Sequence, residues 1–170
     1  SIPHLPNSRL GSGDHSVHDG QYRICCEKAR DKHDRIIVTE KLDGACCTVA
    51  RVNGELLAIP RSGHLAETSP FDHIRLFSRW VDVNKGRFSE LPEGFRVAGE
   101  WLALAHGTIY NLTGEPFIPF DLIGPNGREP HDTARQLFAS TGLQPAFVAH
   151  DGGSISVKSA LEALGEKGRH

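Results

Sequence analysis

A chain of 170 residues is long enough for one compact domain with a real core, or for a domain plus a short arm. Hydrophobic residues at 38% and charged residues at 24% are ordinary for a soluble globular protein, and neither a membrane-length apolar run nor a signal peptide is present, so a cytoplasmic protein with no membrane partner is expected. The formal net charge of −2 argues against an extended nucleic-acid binder that holds phosphates mainly by charge, while leaving room for a local basic groove or a nucleotide pocket.

Residues 1–20 are rich in Gly, Pro, His, Ser and Asp without an apolar period and read as an irregular arm. His15 and His18 there have a spacing that suits a metal, although a solvated or hydrogen-bonded role is the simpler one, as for His4 and His33. The cysteines come as two adjacent pairs, Cys25-Cys26 and Cys46-Cys47, and lack the C-x-x-C spacing of a zinc site; reduced, partly buried thiols are expected. The β-branched run Ile36-Ile37-Val38-Thr39-Glu40 predicts a strand. After a turn at Asp43-Gly44, residues 46–52 and 55–59 flank Asn53-Gly54, a strong hairpin signal because both turn residues must take positive φ.

From 70 to 83 the residues Phe71, Ile74, Phe77 and Val81 recur at three- and four-residue steps, predicting an amphipathic helix with Trp80 alongside. Strands are expected over 95–102 and 116–123, the second closed by Gly124-Pro125. Helices follow near 132–140 and 156–164, with Gly142 and Gly165 where C-terminal caps belong, and a further strand fits 145–150 between them. Hairpin-joined strands with inserted helices point to an antiparallel α+β domain. No G-x-x-x-x-G-K-[ST] loop is present, which excludes a P-loop protein.

The sharpest local feature is Glu40-Lys41-Leu42-Asp43-Gly44. A lysine is nucleophilic only when unprotonated, and one fixed at a strand end can be aimed at a phosphorus atom. Gly44 permits the tight turn and close approach of a nucleotide. Taken alone, the tetrapeptide K-x-D-G also fits an exposed Lys-Asp turn. Three further motifs follow in order: Arg61-Ser62-Gly63; Gly99-Glu100-Trp101-Leu102 continued by His106-Gly107-Thr108-Ile109-Tyr110; and Phe117-Ile118-Pro119-Phe120-Asp121-Leu122-Ile123. By period alone Phe120 alternates with Ile118 and Leu122 and suits a core strand, whereas Glu100 between Gly99 and Trp101 needs a partner if buried.

Together, residues 40–123 resemble motif I, the motif that follows it, and motifs III and IIIa of the covalent nucleotidyltransferases, which comprise ATP-dependent DNA ligases, RNA ligases and messenger-RNA capping enzymes. The arm GSGDHSVHDGQ and the form of motif III look most like the nick-sealing ATP-dependent RNA ligases. The resemblance implies an antiparallel-sheet, ATP-grasp-like nucleotidyltransferase domain over 35–170 with a lead-in over 1–34. It implies that Lys41 is the catalytic nucleophile and becomes lysyl-AMP. Arg61 would contact the ribose, Glu100 the nucleotide and the metal, and Phe120 would stack on the purine. Glu40 would lie at the adenine edge, Thr39 and Leu42 would also bind nucleotide, and Asp43 and Gly44 would support the loop.

The implied cofactors are ATP and Mg2+ or Mn2+, and the implied partner is RNA with 5′-phosphate and 3′-hydroxyl ends, as in RNA repair. The alternatives are a DNA ligase, a capping guanylyltransferase, or a non-catalytic nucleic-acid-binding module. The pattern departs from the family after Pro145: a motif IV strand glutamate and the paired lysines of motif V are not found, and Glu162, Lys158 and Lys167 do not replace them. With Ser1 at its start and no methionine, the chain reads as a fragment truncated at its C-terminus.

Overall fold

Asn53 and Gly54 have φ of 52° and 80°, the left-handed pair that a tight two-residue hairpin requires. They join β2 (Ala45–Val52) to β3 (Glu55–Pro60), and the carboxylate of Glu93 accepts from both turn amides, at 2.5 Å from Asn53 and 2.9 Å from Gly54. The computed structural model describes residues 20, 28, 31, 33–105 and 109–165. The expectations for His4, His15, His18, Cys25 and Cys26, and for His106, Gly107 and Thr108, fall outside these.

The described residues fall into two compact units: one formed by the segment up to Glu40 together with that from Phe147 onward, the other by Lys41–Ala146. In the larger unit, β4 (Arg96–Trp101), β5 (Phe117–Gly124) and β6 (Gly127–Arg128) complete an antiparallel sheet of order β3-β2-β4-β5-β6. The α+β antiparallel expectation therefore holds, and β6 is an addition that two residues give no period to reveal.

One face of this sheet is covered by α1 (Asp72–Val83) and α2 (His131–Thr141). Ile74, Phe77 and Val81 of α1, with Ala134 and Phe138 of α2, are buried with Cys47, Val49, Val97, Trp101, Phe117 and Leu122 of the strands. Rings of Phe77, Trp80, Trp101 and Phe117 lie with centroids 5.2–6.1 Å apart, a separation at which aromatic pairs add about 0.5–1.5 kcal/mol each beyond area burial. Both indole N–H groups are satisfied, Trp101 donating to the His73 carbonyl and Trp80 to Glu115, each at 2.8 Å. The helix begins one residue after Phe71, whose extended backbone (φ −94°, ψ 125°) takes it off the apolar face; it is 61% exposed and not part of the core. Gly142, at φ 66°, caps α2 in the left-handed conformation.

In the other unit, β1 (Ile36–Thr39) pairs antiparallel with β7 (Val148–Gly152), and α3 (Val157–Leu164) is capped by Ser156, which accepts from the Ser159 amide at 3.0 Å. Arg35 and Asp151 form a two-pronged ion pair at 2.5 and 2.6 Å. β7 starts three residues later than the sequence predicts because the amides and carbonyls before it have other uses. The Ala146 amide donates to the Pro119 carbonyl at 3.3 Å, within the larger unit, and the Phe147 carbonyl accepts from Glu40 at 2.8 Å. No helix among the described residues is long and apolar enough to cross a membrane.

Candidate active site

The face of the five-stranded sheet opposite the main core carries the residues singled out by sequence. Because strand side chains alternate, Cys46, Glu100 and Ile118 share a row across β2, β4 and β5, registered Cys46 to Glu100 and Glu100 to Ile118. Arg61, just past β3, extends the row: its amide donates to the Cys46 carbonyl at 3.1 Å while its side chain is exposed. The next row on the same face holds Ile59, Thr48, Ala98 and Asp121.

Lys41, Leu42, Asp43 and Gly44 lead into β2 at the end of the first row. The Gly44 amide donates to Oε1 of half-buried Glu100 at 3.0 Å, and the Asp43 amide donates to the Tyr110 hydroxyl at 2.7 Å. Gly44 has to be glycine for lack of room: a Cβ there would lie 2.6 Å from the Trp101 carbonyl oxygen and 2.7 Å from a Leu102 methyl. Leu42 is buried in a second apolar cluster with Leu102, Ile118 and Ala146, against which Tyr110, Leu112 and Phe120 pack. Lys41 and Asp43 themselves are exposed.

Phe120 departs from simple alternation. Ala98 pairs with Asp121 and Gly99 with Pro119, so Phe120 is an extra residue in β5, a bulge. Phe117 and Leu122, five positions apart, consequently both enter the main core, while Phe120 packs with Ile118 against the second cluster. The period reading that grouped Phe120 with Leu122 thus fails for Leu122, since a bulge shifts the alternation by one.

Charges converge on this face. Burial pushes the Cys46 thiol pKa up, Glu100 adds to the rise, Arg61 opposes it, and Asp121 adds a smaller push. Burial likewise raises Asp121, against the pull of Arg128, whose guanidinium lies 2.8 Å from its carboxylate, and of His131. Cys47, on the core face, is pushed up to about 12, chiefly by burial. Both described cysteines are free thiols, as the sequence reading expects.

The structure therefore brings Leu42, Asp43, Gly44, Arg61, Glu100 and Phe120 onto one face of one unit, with Lys41 at the head of its loop. Thr39 and Glu40 belong to the other unit, Thr39 as the last residue of β1. Sequence reasoning gave no role to Tyr110, Asp121 or Cys46, although the first two stand inside the quoted motifs; their signal was the motif, not the period. Among the described residues no three His, Cys, Asp or Glu side chains are grouped to cage a metal by themselves. Glu100 and Asp121 lie in neighbouring rows of this face, and Mg2+ is commonly held by one or two carboxylates plus substrate phosphates.

Solved structures of other proteins are similar to this chain. An archaeal ATP-dependent RNA ligase (form 2) is 27% identical, with a TM-score of 0.54 over 71% of this chain and 32% of its own. Naegleria gruberi RNA ligase with PPi shares the fold at 18% identity and a TM-score of 0.58, over 78% of this chain and 41% of that one. A mutant of the same Naegleria ligase with ATP and Mn gives a TM-score of 0.60 at 19% identity, over 78% and 42% of the two chains. This chain thus spans about a third to two fifths of the length of these solved structures. No curated protein matches it. The RNA ligase family matches residues 34–170, four fifths of the sequence and all of the face just described, and the chain belongs to that family.

Proposed function

We propose that this chain is the adenylate-accepting core of an ATP-dependent RNA ligase, in which Lys41 attacks the α-phosphate of ATP. The observation that carries the reading is the tie between the Gly44 amide and Glu100, which fixes the loop bearing Lys41 to the row of Arg61, Cys46 and Glu100. Relatives solved with AMP and Mn, or with ATP and Mn, support nucleotide and divalent-metal use by the same fold.

In the first step the Lys41 amine, deprotonated, forms a P–N bond in line as the bond to pyrophosphate breaks, leaving lysyl-AMP. The exposed Arg61 guanidinium is suited to the ribose, and Phe120, turned onto this face by the bulge, to stacking on the purine. Leu42 lines the apolar floor beneath, and Asp43 and Gly44 shape the loop. Thr39 and Glu40, next to Lys41 in sequence, keep the nucleotide-binding role that the resemblance implies. Glu100 would hold Mg2+ or Mn2+ together with the phosphates. That cation, when bound, offsets phosphate charge and so lets the amine approach. AMP then passes to an RNA 5′-phosphate, and a 3′-hydroxyl displaces it to seal the strand. Residues 35–170 act here as the adenylation domain, with 1–34 as its lead-in.

The test is intact mass spectrometry after incubation with ATP and Mg2+. One AMP adduct, mapped to Lys41 and missing from Lys41→Ala, is the expected result. A wild-type chain that never acquires AMP, and that binds RNA no better than Lys41→Ala does, would instead mark a non-catalytic binding module.

A further inference from the structure

Two consecutive amides of the loop after Lys41 are held by side chains from different places in the sequence: Gly44 by Glu100 of β4, and Asp43 by Tyr110. Tyr110 is not a free-standing contact. Its ring packs in the cluster containing Leu42 and Phe120. The segment that follows it is pinned a few residues on: Glu115 accepts from Trp80 at 2.8 Å and from Arg87 at 2.7 Å, and the Pro116 carbonyl accepts from Leu102 at 2.8 Å. Arg87 is itself held by Asn84 at 2.8 Å. The hydroxyl of Tyr110 is therefore presented to the loop by a ring packed on the second cluster.

We propose that Tyr110 is a positioning residue for Lys41, its hydroxyl fixing the Asp43 amide so that the loop holds the nucleophile in line with the α-phosphate. The inference rests on the adenylation reading above. With Glu100 gripping Gly44 alone, the loop could pivot about one amide; a second grip on the neighbouring amide removes that freedom. Positioning of this kind acts on the reacting geometry, where displacements well under an ångström matter, more than on nucleotide affinity. In the reading proposed above, the substrate is held by Arg61, Phe120 and Glu100.

Tyr110→Phe removes the oxygen and keeps the ring. At saturating ATP its rate of lysyl-AMP formation should fall by about tenfold, and pyrophosphate-driven loss of AMP from preformed lysyl-AMP should fall by the same factor, because both directions share one transition state. The ATP concentration for half-maximal rate should change by less than about threefold. Hydrogen exchange of the Asp43 amide should speed up while the β4–β5 amides keep their protection. Phe138→Leu, which loosens the main core and removes no hydrogen bond, should lower the melting temperature yet leave the saturated rate near wild type. Unchanged exchange or an unchanged saturated rate in Tyr110→Phe, with wild type forming its adduct normally, would overturn the positioning role alone. A wild-type chain with no adduct would overturn the adenylation reading and this inference with it.

Discussion

The Gly44 amide and the Glu100 carboxylate, 3.0 Å apart, join residues 56 positions distant in sequence and give one carboxylate two tasks. It must accept from the loop, and in the proposed reaction it must also face nucleotide and cation. The two tasks separate chemically, because Gln keeps an acceptor oxygen and loses the charge. Glu100→Ala should cost about 1.5–3 kcal/mol of stability, the range for hydrogen bonds to charged groups, and abolish adenylation. Glu100→Gln should recover most of that stability in urea titration while adenylation stays at least about a hundredfold down, in line with the loss of a positioned charge.

Gly44 and Gly99 are space-limited positions. Added Cβ atoms would lie 2.6 Å from the Trp101 carbonyl oxygen and 2.6 Å from the Phe117 ring, respectively. Gly44→Ala meets backbone and should destabilise by about 1–3 kcal/mol, with adduct formation lost in parallel. Gly99→Ala strikes a core ring and the Ile118 carbonyl, at 2.7 Å, so its thermal midpoint should drop comparably. Paired urea and mass-spectrometric measurements check both.

Electrostatics around Cys46 give a prediction that needs no substrate. Only the thiolate alkylates, so a raised pKa means slow modification near neutral pH. Glu100→Gln removes a charge that raises the Cys46 pKa and should speed its reaction with iodoacetamide; Arg61→Gln removes the opposing charge and should slow it. Cys47, buried and pushed up to about 12, should react more slowly than Cys46 in every variant, as peptide mapping over a pH series would reveal.

Asp121 binds its proton more tightly when folded than its ordinary value of 3.8 implies, because burial outweighs the Arg128 ion pair. Linkage then fixes the sign: its contribution to stability is fully present below the unfolded value and is lost as pH rises through the folded one. Asp121→Asn should therefore flatten that part of the stability–pH curve. Arg128→Gln, removing the opposing cation, should move the Asp121 carboxyl resonance to a still higher midpoint in an NMR titration.

The fold was readable where local chemistry and tertiary packing agree. The Asn53-Gly54 hairpin, the α1 face of Ile74, Phe77 and Val81, and the Gly142 cap all lie as their residue types require. The strand boundary near 145–150 was not readable, because Ala146 and Phe147 spend their backbone groups on Pro119 and Glu40, residues far away in sequence. The face with Arg61, Glu100 and Phe120 could be anticipated only as a set of ordered motifs. No period in the sequence announces that Tyr110 reaches the Asp43 amide, or that Cys46 lies amid three charges, since each depends on contacts between residues distant in sequence.

The bulge in β5 shows what the architecture does not need. Remove Phe120 in thought, and Asp121 follows Pro119 directly, just as Ala98 precedes Gly99 opposite them. Phe117, Pro119 and Leu122 would then alternate without interruption, and Asp121 would keep its face. Phe120 is thus supernumerary to the strand pairing: its ring adds to the second apolar cluster and not to the main core. A chain lacking only Phe120 is accordingly the cleanest way to separate a scaffold that folds from a face that can grip a base.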